Sequence, residues 1–215
     1  MKIVEAFRHA KSTFVAALNG RYEENLGSGY KIRGDVFFKL HNARTGELEW
    51  EREHRNIVTL DASILIARLM KDSQEAPHGC FALAVGTGDT GWDPMNPPAP
   101  TNTQRSLYAE LTRKTFALTQ FVDAGGAPTA IPTNVVDFTT TYTESEAVGP
   151  LVEMGILGGN VNSNMSIQNP VTPPNGPYSP SVDLTNFDTL CNFLSFPVVN
   201  KPATSTLTIV WRLTF

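Results

Sequence analysis

The clearest alternation of apolar and polar residues lies at the end of the chain. Over residues 204–215, Leu207, Ile209, Trp211, Leu213 and Phe215 fall on one face and Thr206, Thr208, Arg212 and Thr214 on the other. That is the period-two signature of a half-buried strand. Burying five such side chains contributes on the order of ten kcal/mol by area, before chain entropy is counted, so the C-terminus is expected in the core. A second apolar run, Phe81 to Val85, is closed by Gly86 and predicts a strand buried on both faces. Residues 30–54 predict a hairpin. Its first arm, 30–41, puts Val36, Phe38 and Leu40 on one face and Phe37 and Lys39 on the other, and Asn42 to Gly46 supply the turn. The second arm, 47–55, alternates Leu48 and Trp50 with charged residues, which suits a wet face and discourages edge pairing.

Helical spacing occurs twice. Over residues 1–18, Ile3, Phe7, Ala10, Phe14 and Leu18 line one stripe, and Asn19-Gly20 is a fitting stop. Gly27-Ser28-Gly29 separates this helix from the remainder of the chain, so it is read as an arm that packs on protein rather than as an ordinary core helix. A second helix runs from a cap at Thr59 or Asp61 to about Lys71, with Leu60, Ile64, Ala67 and Leu69 inward. Residues 94–100 hold four prolines in seven positions and form an extended surface loop. Residues 113–122 and 134–142 are strand-like; Gly125-Gly126 and Pro128 to Pro132 between them predict a loop rather than a tight turn. Further strands are expected at 151–157, before a turn at Gly158-Gly159-Asn160, and at 190–199. The long Asn/Pro/Ser/Gly stretch at 160–180 predicts a loop that is functional or ordered by a partner.

These elements predict a mainly β, antiparallel, β-sandwich-like fold with one buried helix and an N-terminal amphipathic helix arm. The expected organisation is an arm and linker over 1–29 and one β-rich domain over 30–215, with long loops at 87–104 and 159–186.

Composition changes the picture in a few places. With 215 residues, 41% of them apolar, the chain can bury one sizeable core. A formal charge of −4 argues against nucleic acid as the main partner. Fifteen of the 17 basic residues lie at or before Lys114. The charge-poor second half fits contact with other protein copies, or equally a plain β-domain with uncharged loops. The two cysteines, Cys80 and Cys191, make no disulfide framework, and a bridge between them requires their strands to be neighbours. Neither a membrane span nor a signal peptide is legible, so a soluble chain made in a reducing cytoplasm is expected.

The candidate chemistry is thin. Gly86-Thr87-Gly88-Asp89-Thr90-Gly91 matches G-x-G-x-x-G, but Trp92-Asp93-Pro94 cannot open the helix that would hold a pyrophosphate. His9, His41, His54 and His78 lack paired metal-ligand spacing, and Asp89, Asp93 and Asn96 do not match an EF-hand loop. Glu144, Glu146 and Glu153 are read as isolated acids rather than a glycosidase pair. No catalytic residue, cofactor, metal or small-molecule substrate is assigned.

Two separated stretches carry a family resemblance. The first is Asn56-Ile57-Val58-Thr59, the helix after it, Ala82-Leu83-Ala84-Val85-Gly86-Thr87-Gly88, and Thr103 with Leu107, Glu110 and Arg113. The second is Val152-Glu153-Met154-Gly155-Ile156-Leu157, Phe196-Pro197-Val198-Val199-Asn200-Lys201, and residues 207–215 with Trp211. In this order they resemble tailed-bacteriophage virion proteins with an N-x-V-T, A-V-G-T-G, L-x-x-E-x-x-R, E-x-G and W-x-I-x-F pattern, although Met154 and Ile156 depart from it. Physically, Gly86 and Gly88 would turn the chain off a buried strand. Glu110 and Arg113 are spaced for a local ion pair, and Glu153 would satisfy backbone donors near Gly155.

The resemblance implies a non-enzymatic virion protein, assembled in the host cytoplasm, that oligomerises at the neck, tail or fibre-attachment region. Its partners would be other copies of itself and other virion proteins, with no nucleic acid and no membrane. Ile3, Phe7, Phe14, Leu18, Trp92, Pro97, Pro98 and Tyr178 are the expected subunit contacts. A head decoration protein is the alternative within virions. Outside them stands a carbohydrate-binding β-sandwich using Trp92, Tyr142 and Tyr178 as exposed aromatics.

Overall fold

The computed structural model describes residues 32–71, 78–159, 168–172 and 188–215. The arm and linker with Ile3, Phe7, Phe14 and Leu18, most of the 160–180 loop, and Tyr178 lie outside the described residues.

The chain forms β1 (Arg33–Asn42), β2 (Leu48–Arg55), β3 (Ile57–Val58), α1 (Leu60–Lys71), β4 (His78–Gly86), β5 (Glu110–Thr115) and β6 (Leu118–Val122). It continues through β7 (Pro128–Thr129), β8 (Val135–Tyr142), β9 (Gly149–Gly159), β10 (Asp188–Lys201) and β11 (Ser205–Thr214). The strands make a six-stranded sheet, β2-β1-β11-β8-β6-β7, and a five-stranded sheet, β3-β10-β9-β4-β5. Every strand pair is antiparallel. The fold is β-sandwich-like.

Alternation places the core. Leu207, Ile209, Trp211 and Leu213 of β11 and Val36, Phe38 and Leu40 of β1 are buried and meet Leu83 and Val85 of β4, Met154 and Ile156 of β9, and Leu194 and Phe196 of β10. The Phe38 and Phe196 rings cross edge-to-face at 5.1 Å between centroids, linking one sheet to the other. A second apolar cluster (Ala82, Ala84, Leu107, Leu157, Val171, Leu190 and Phe193) explains why β4 reads as a continuous apolar run. Charged β2 is an edge strand, as its composition suggests. Pro197 is accommodated in β10 because the register breaks between Ser195 and Val199.

Several expectations need correction. Helix α1 turns Ala62 and Leu65 inward, whereas Leu60 and Ile64 are 43% and 44% exposed and Ala67 also faces outward. Apolar residues occupy both stripes, so periodicity could not choose. Rotation is set by Thr59, whose hydroxyl donates to the Leu190 and Cys191 carbonyls and accepts from Ala62 N, and by Asp61, buried against Arg105 at 2.9 Å. The run 113–122 is two strands in different sheets, with Ala117 N donating to Thr139 O at the crossing. The 123–127 segment is a tight turn after all. Asp123 Oδ1 accepts from Gly125 N and Ala127 N at 2.8 and 2.9 Å, closing a short β6–β7 hairpin. Phe215 does not share the burial of its strand-mates and is 41% exposed.

Candidate functional site

Six residues of the family-like pattern, Gly86, Gly88, Glu110, Arg113, Glu153 and Gly155, converge at one end of the five-stranded sheet. Register puts Gly86 opposite Glu110 of β5 on one side and Glu153 of β9 on the other, while Ala84 faces Arg113 and Gly155. Strand pairing, rather than sequence proximity, therefore assembles the cluster.

Its centre is the Glu153 carboxylate, which is fully buried. It accepts from Ala109 N at 2.8 Å, Tyr108 N at 2.9 Å and Gly88 N at 3.2 Å. Those donors belong to the two ends of the 87–109 loop, not to the neighbourhood of Gly155 as the sequence suggested. Burial pushes the Glu153 carboxyl above its ordinary range, and the three N–H donors oppose that rise by favouring the ionised form. Gly88 makes the arrangement possible. Its φ is +70°, and a Cβ there would lie 2.5 Å from Val152 Cγ2 and 2.7 Å from the Trp92 ring. Gly155 is required by close approach instead, since a Cβ would sit 2.5 Å from Leu190 Cδ1 and 2.8 Å from Asn192 O.

Beside Glu153 lies a buried ionic cluster. Arg113 forks onto Glu110, Nε to Oε1 at 2.5 Å and Nη2 to Oε2 at 2.9 Å, and Nη1 reaches Asp188 Oδ2 at 2.5 Å. The expected Glu110–Arg113 pair is present, but strand geometry at the β4–β5 irregularity forms it, not a helix turn. One guanidinium serves two carboxylates. Burial works against the Arg113 charge, and Glu110 and Asp188 more than offset it, so its pKa is raised. For Asp188 burial outweighs the attraction of Arg113, and Glu110 adds repulsion, raising the carboxyl to about 6. The Arg113 backbone also exchanges two hydrogen bonds with Val171, which covers the β5 edge.

The 87–109 loop is thus fastened at many points. Pro94 O accepts from Val198 N at 2.7 Å, Pro98 O from Ser195 Oγ at 2.6 Å, and Asn102 O from Leu60 N at 2.9 Å. Trp92 packs edge-on against Tyr108 at 4.6 Å, and Tyr108 lies 6.4 Å from Phe193. Pro97 is half-buried and Pro98 exposed. Outward the loop presents Met95, 66% exposed, and the flank of Tyr108, 52% exposed, together with the polar side chains of Asp89, Asp93, Asn96, Thr101 and Thr103.

Of the three aromatics expected for a sugar platform, the two among the described residues are otherwise engaged. Tyr142 is fully buried and donates to Leu83 O at 2.8 Å, and Trp92 is occupied by Tyr108. Glu146 pairs with Lys114 at 2.6 Å, while Glu153 is sealed under the loop. Trp211 lies in the main core, away from this cluster. Among the described residues, no group of three or more His, Cys, Asp or Glu side chains is placed to hold a metal ion. Sequence reasoning missed Asp188 and the Tyr108 and Ala109 amides. Asp188 is a lone acid at a strand start, and backbone donors leave no mark in side-chain identity.

Comparison of the sequence with protein-family models returned no match, and comparison with curated protein sequences returned none either.

Proposed function

We propose that this chain is a non-enzymatic structural protein of a tailed-phage virion, oligomerising at the neck, tail or fibre-attachment region through its N-terminal arm and its loops. One observation carries this reading. Gly86, Gly88, Glu110, Arg113, Glu153 and Gly155 of the family-like pattern meet in one cluster, and Glu153 there bonds both ends of a long surface loop. Buried charge is spent on fixing a loop that exposes Met95 and the flank of Tyr108 among polar side chains such as Asp89, Asp93 and Asn96, a mixed surface of the kind that contacts other protein subunits. The carbohydrate-binding alternative loses support with the burial of Tyr142 and the packing of Trp92.

The test is the assembly state of the purified full-length chain, by light scattering and negative-stain imaging beside whole particles. A ring or other closed oligomer is the expected result, and a variant lacking residues 1–20 should stay folded yet assemble poorly. A monomer that binds glycans, or normal assembly without the arm, would overturn the proposal.

A further inference from the structure

An apolar cavity of about 240 Å³ lies where α1 meets both sheets, lined by Leu65 and Leu69 of α1, Phe138 of β8, Phe215, and both cysteines. Cys80 is on β4 and Cys191 on β10, with β9 between them. The β9 residue at this level is Gly158, paired with Cys80 on one side and Thr189 on the other. A Cβ at Gly158 would lie 2.7 Å from Leu65 Cδ2 and 2.9 Å from Cys191 Sγ, so only glycine fits in the intervening strand beneath the wall on which both cysteines line the cavity. Both cysteines are free. Two strand spacings separate their backbones by roughly 9–10 Å, beyond the Cα separation a disulfide spans. The thiols are neighbours that cannot bridge directly.

We propose that Cys80 and Cys191 form a two-coordinate site for a thiophilic monovalent d10 cation of the Cu(I) class. Paired sulfur donors in an apolar wall select soft ions. No further acid, histidine or cysteine among the described residues completes a cluster there, so a zinc ion, which needs four ligands, is not served. A linear S–metal–S unit needs two ligands and joins sulfurs too far apart to bond to each other. Each thiol loses its proton to solvent as its sulfur–metal bond forms, the ion keeps its oxidation state, and the bis-thiolate complex carries one negative charge. Cys191 gives up its contact with Thr189 O, at 3.6 Å, in the process. The first turn of α1 adjoins this point, with Thr59 N donating to Cys191 O at 3.0 Å, and its buried Asp61, paired with Arg105, sets a negative charge against that of the complex. A thiol must give up its proton to ligate a metal ion, so uptake is coupled to proton release. Cys80, half-buried, is the point of entry.

Ag(I), which binds as Cu(I) does without redox chemistry, is the probe. The reduced full-length chain is titrated by calorimetry in chloride-free buffers of differing ionisation enthalpy, with native mass spectrometry for stoichiometry. One ion per chain, two protons released per ion and loss of both reactive thiols are expected. Cys80→Ser, a change at a half-buried position, should weaken binding by about 10²–10⁴-fold, the advantage of a second tethered ligand, and release one proton. Cys191→Ser should do the same, and if it fails to fold, the Cys80 variant decides alone. Two ions per chain, unchanged affinity in Cys80→Ser, or an intramolecular Cys80–Cys191 disulfide on diamide treatment would each overturn the site.

Discussion

Replacing Glu153 by glutamine tests whether one buried carboxylate holds the 87–109 loop. The side chain keeps its shape, but one oxygen becomes an NH₂ group aimed at a backbone N–H. Glu153 accepts from three such donors, and Tyr108 N at 2.9 Å is the only one served by Oε2. Losing one hydrogen bond to a charged group costs roughly 1.5–3 kcal/mol, and the two that remain weaken by about 1 kcal/mol each as the acceptor becomes neutral. Relief of the carboxylate's burial, which raises its pKa, offsets part of this. The expected net loss is about 2–3 kcal/mol for Glu153→Gln. For Glu153→Ala, which strands all three donors and opens a void, it is on the order of 5 kcal/mol. Urea unfolding with an unchanged slope measures the stability. Amide exchange at Gly88, Tyr108 and Ala109 measures the local release, and protection there should fall more than in β11. A glutamine variant within about 0.5 kcal/mol of the parent, with those amides still protected, would refute the clamp.

Three further outcomes rest on the same geometry. Asp188 has a folded pKa of about 6 against an ordinary 3.8, so folding takes up a proton there. Its contribution is most favourable below pH 4, is lost as pH rises to about 6, and is flat above, amounting to on the order of 3 kcal/mol. The stability of the parent minus that of Asp188→Asn should therefore decline over that window, and a difference independent of pH contradicts the assignment. Gly155→Ala sets a methyl against the Asn192 carbonyl of the adjacent strand, and a loss of about 3 kcal/mol in chemical denaturation is expected; a neutral change would show that β9 and β10 can separate. Deleting residues 212–215 removes the end of β11, which is bonded to β1 and β8 on its two sides. The product should lack a cooperative thermal transition, and a soluble truncation that melts sharply refutes the core role of that strand.

Much of the architecture is set by local pattern. Alternation in β1 and β11, the apolar run of β4, the Thr59 cap and the Asn42 to Gly46 turn each lie within a few residues, where side-chain period and turn chemistry act directly. The β2 edge was legible for the same reason, its charges being incompatible with pairing on both sides. Pattern failed where two answers were locally equivalent. Helix α1 carries apolar residues on both stripes, and the bonds of Thr59 and Asp61 to β10 and the 87–109 loop choose between them. Residues 113–122 suit a strand throughout, and only the need to cover both sheets divides them.

The candidate cluster divides along the same line. Sequence alone specified which residues are unusual: glycines at Gly86, Gly88 and Gly155, an acid in an apolar strand at Glu153, and a Glu110–Arg113 spacing. Tertiary structure decided what they do. Antiparallel register brings β4, β5 and β9 side by side and turns Glu153 toward amides 44, 45 and 65 positions away. The same register adds Asp188 to Arg113 across 75 residues and sets Cys80 and Cys191 on either side of a glycine. Contacts between distant segments depend on which strands become neighbours, and that choice minimises the free energy of the whole sandwich, so no short window of the chain encodes it.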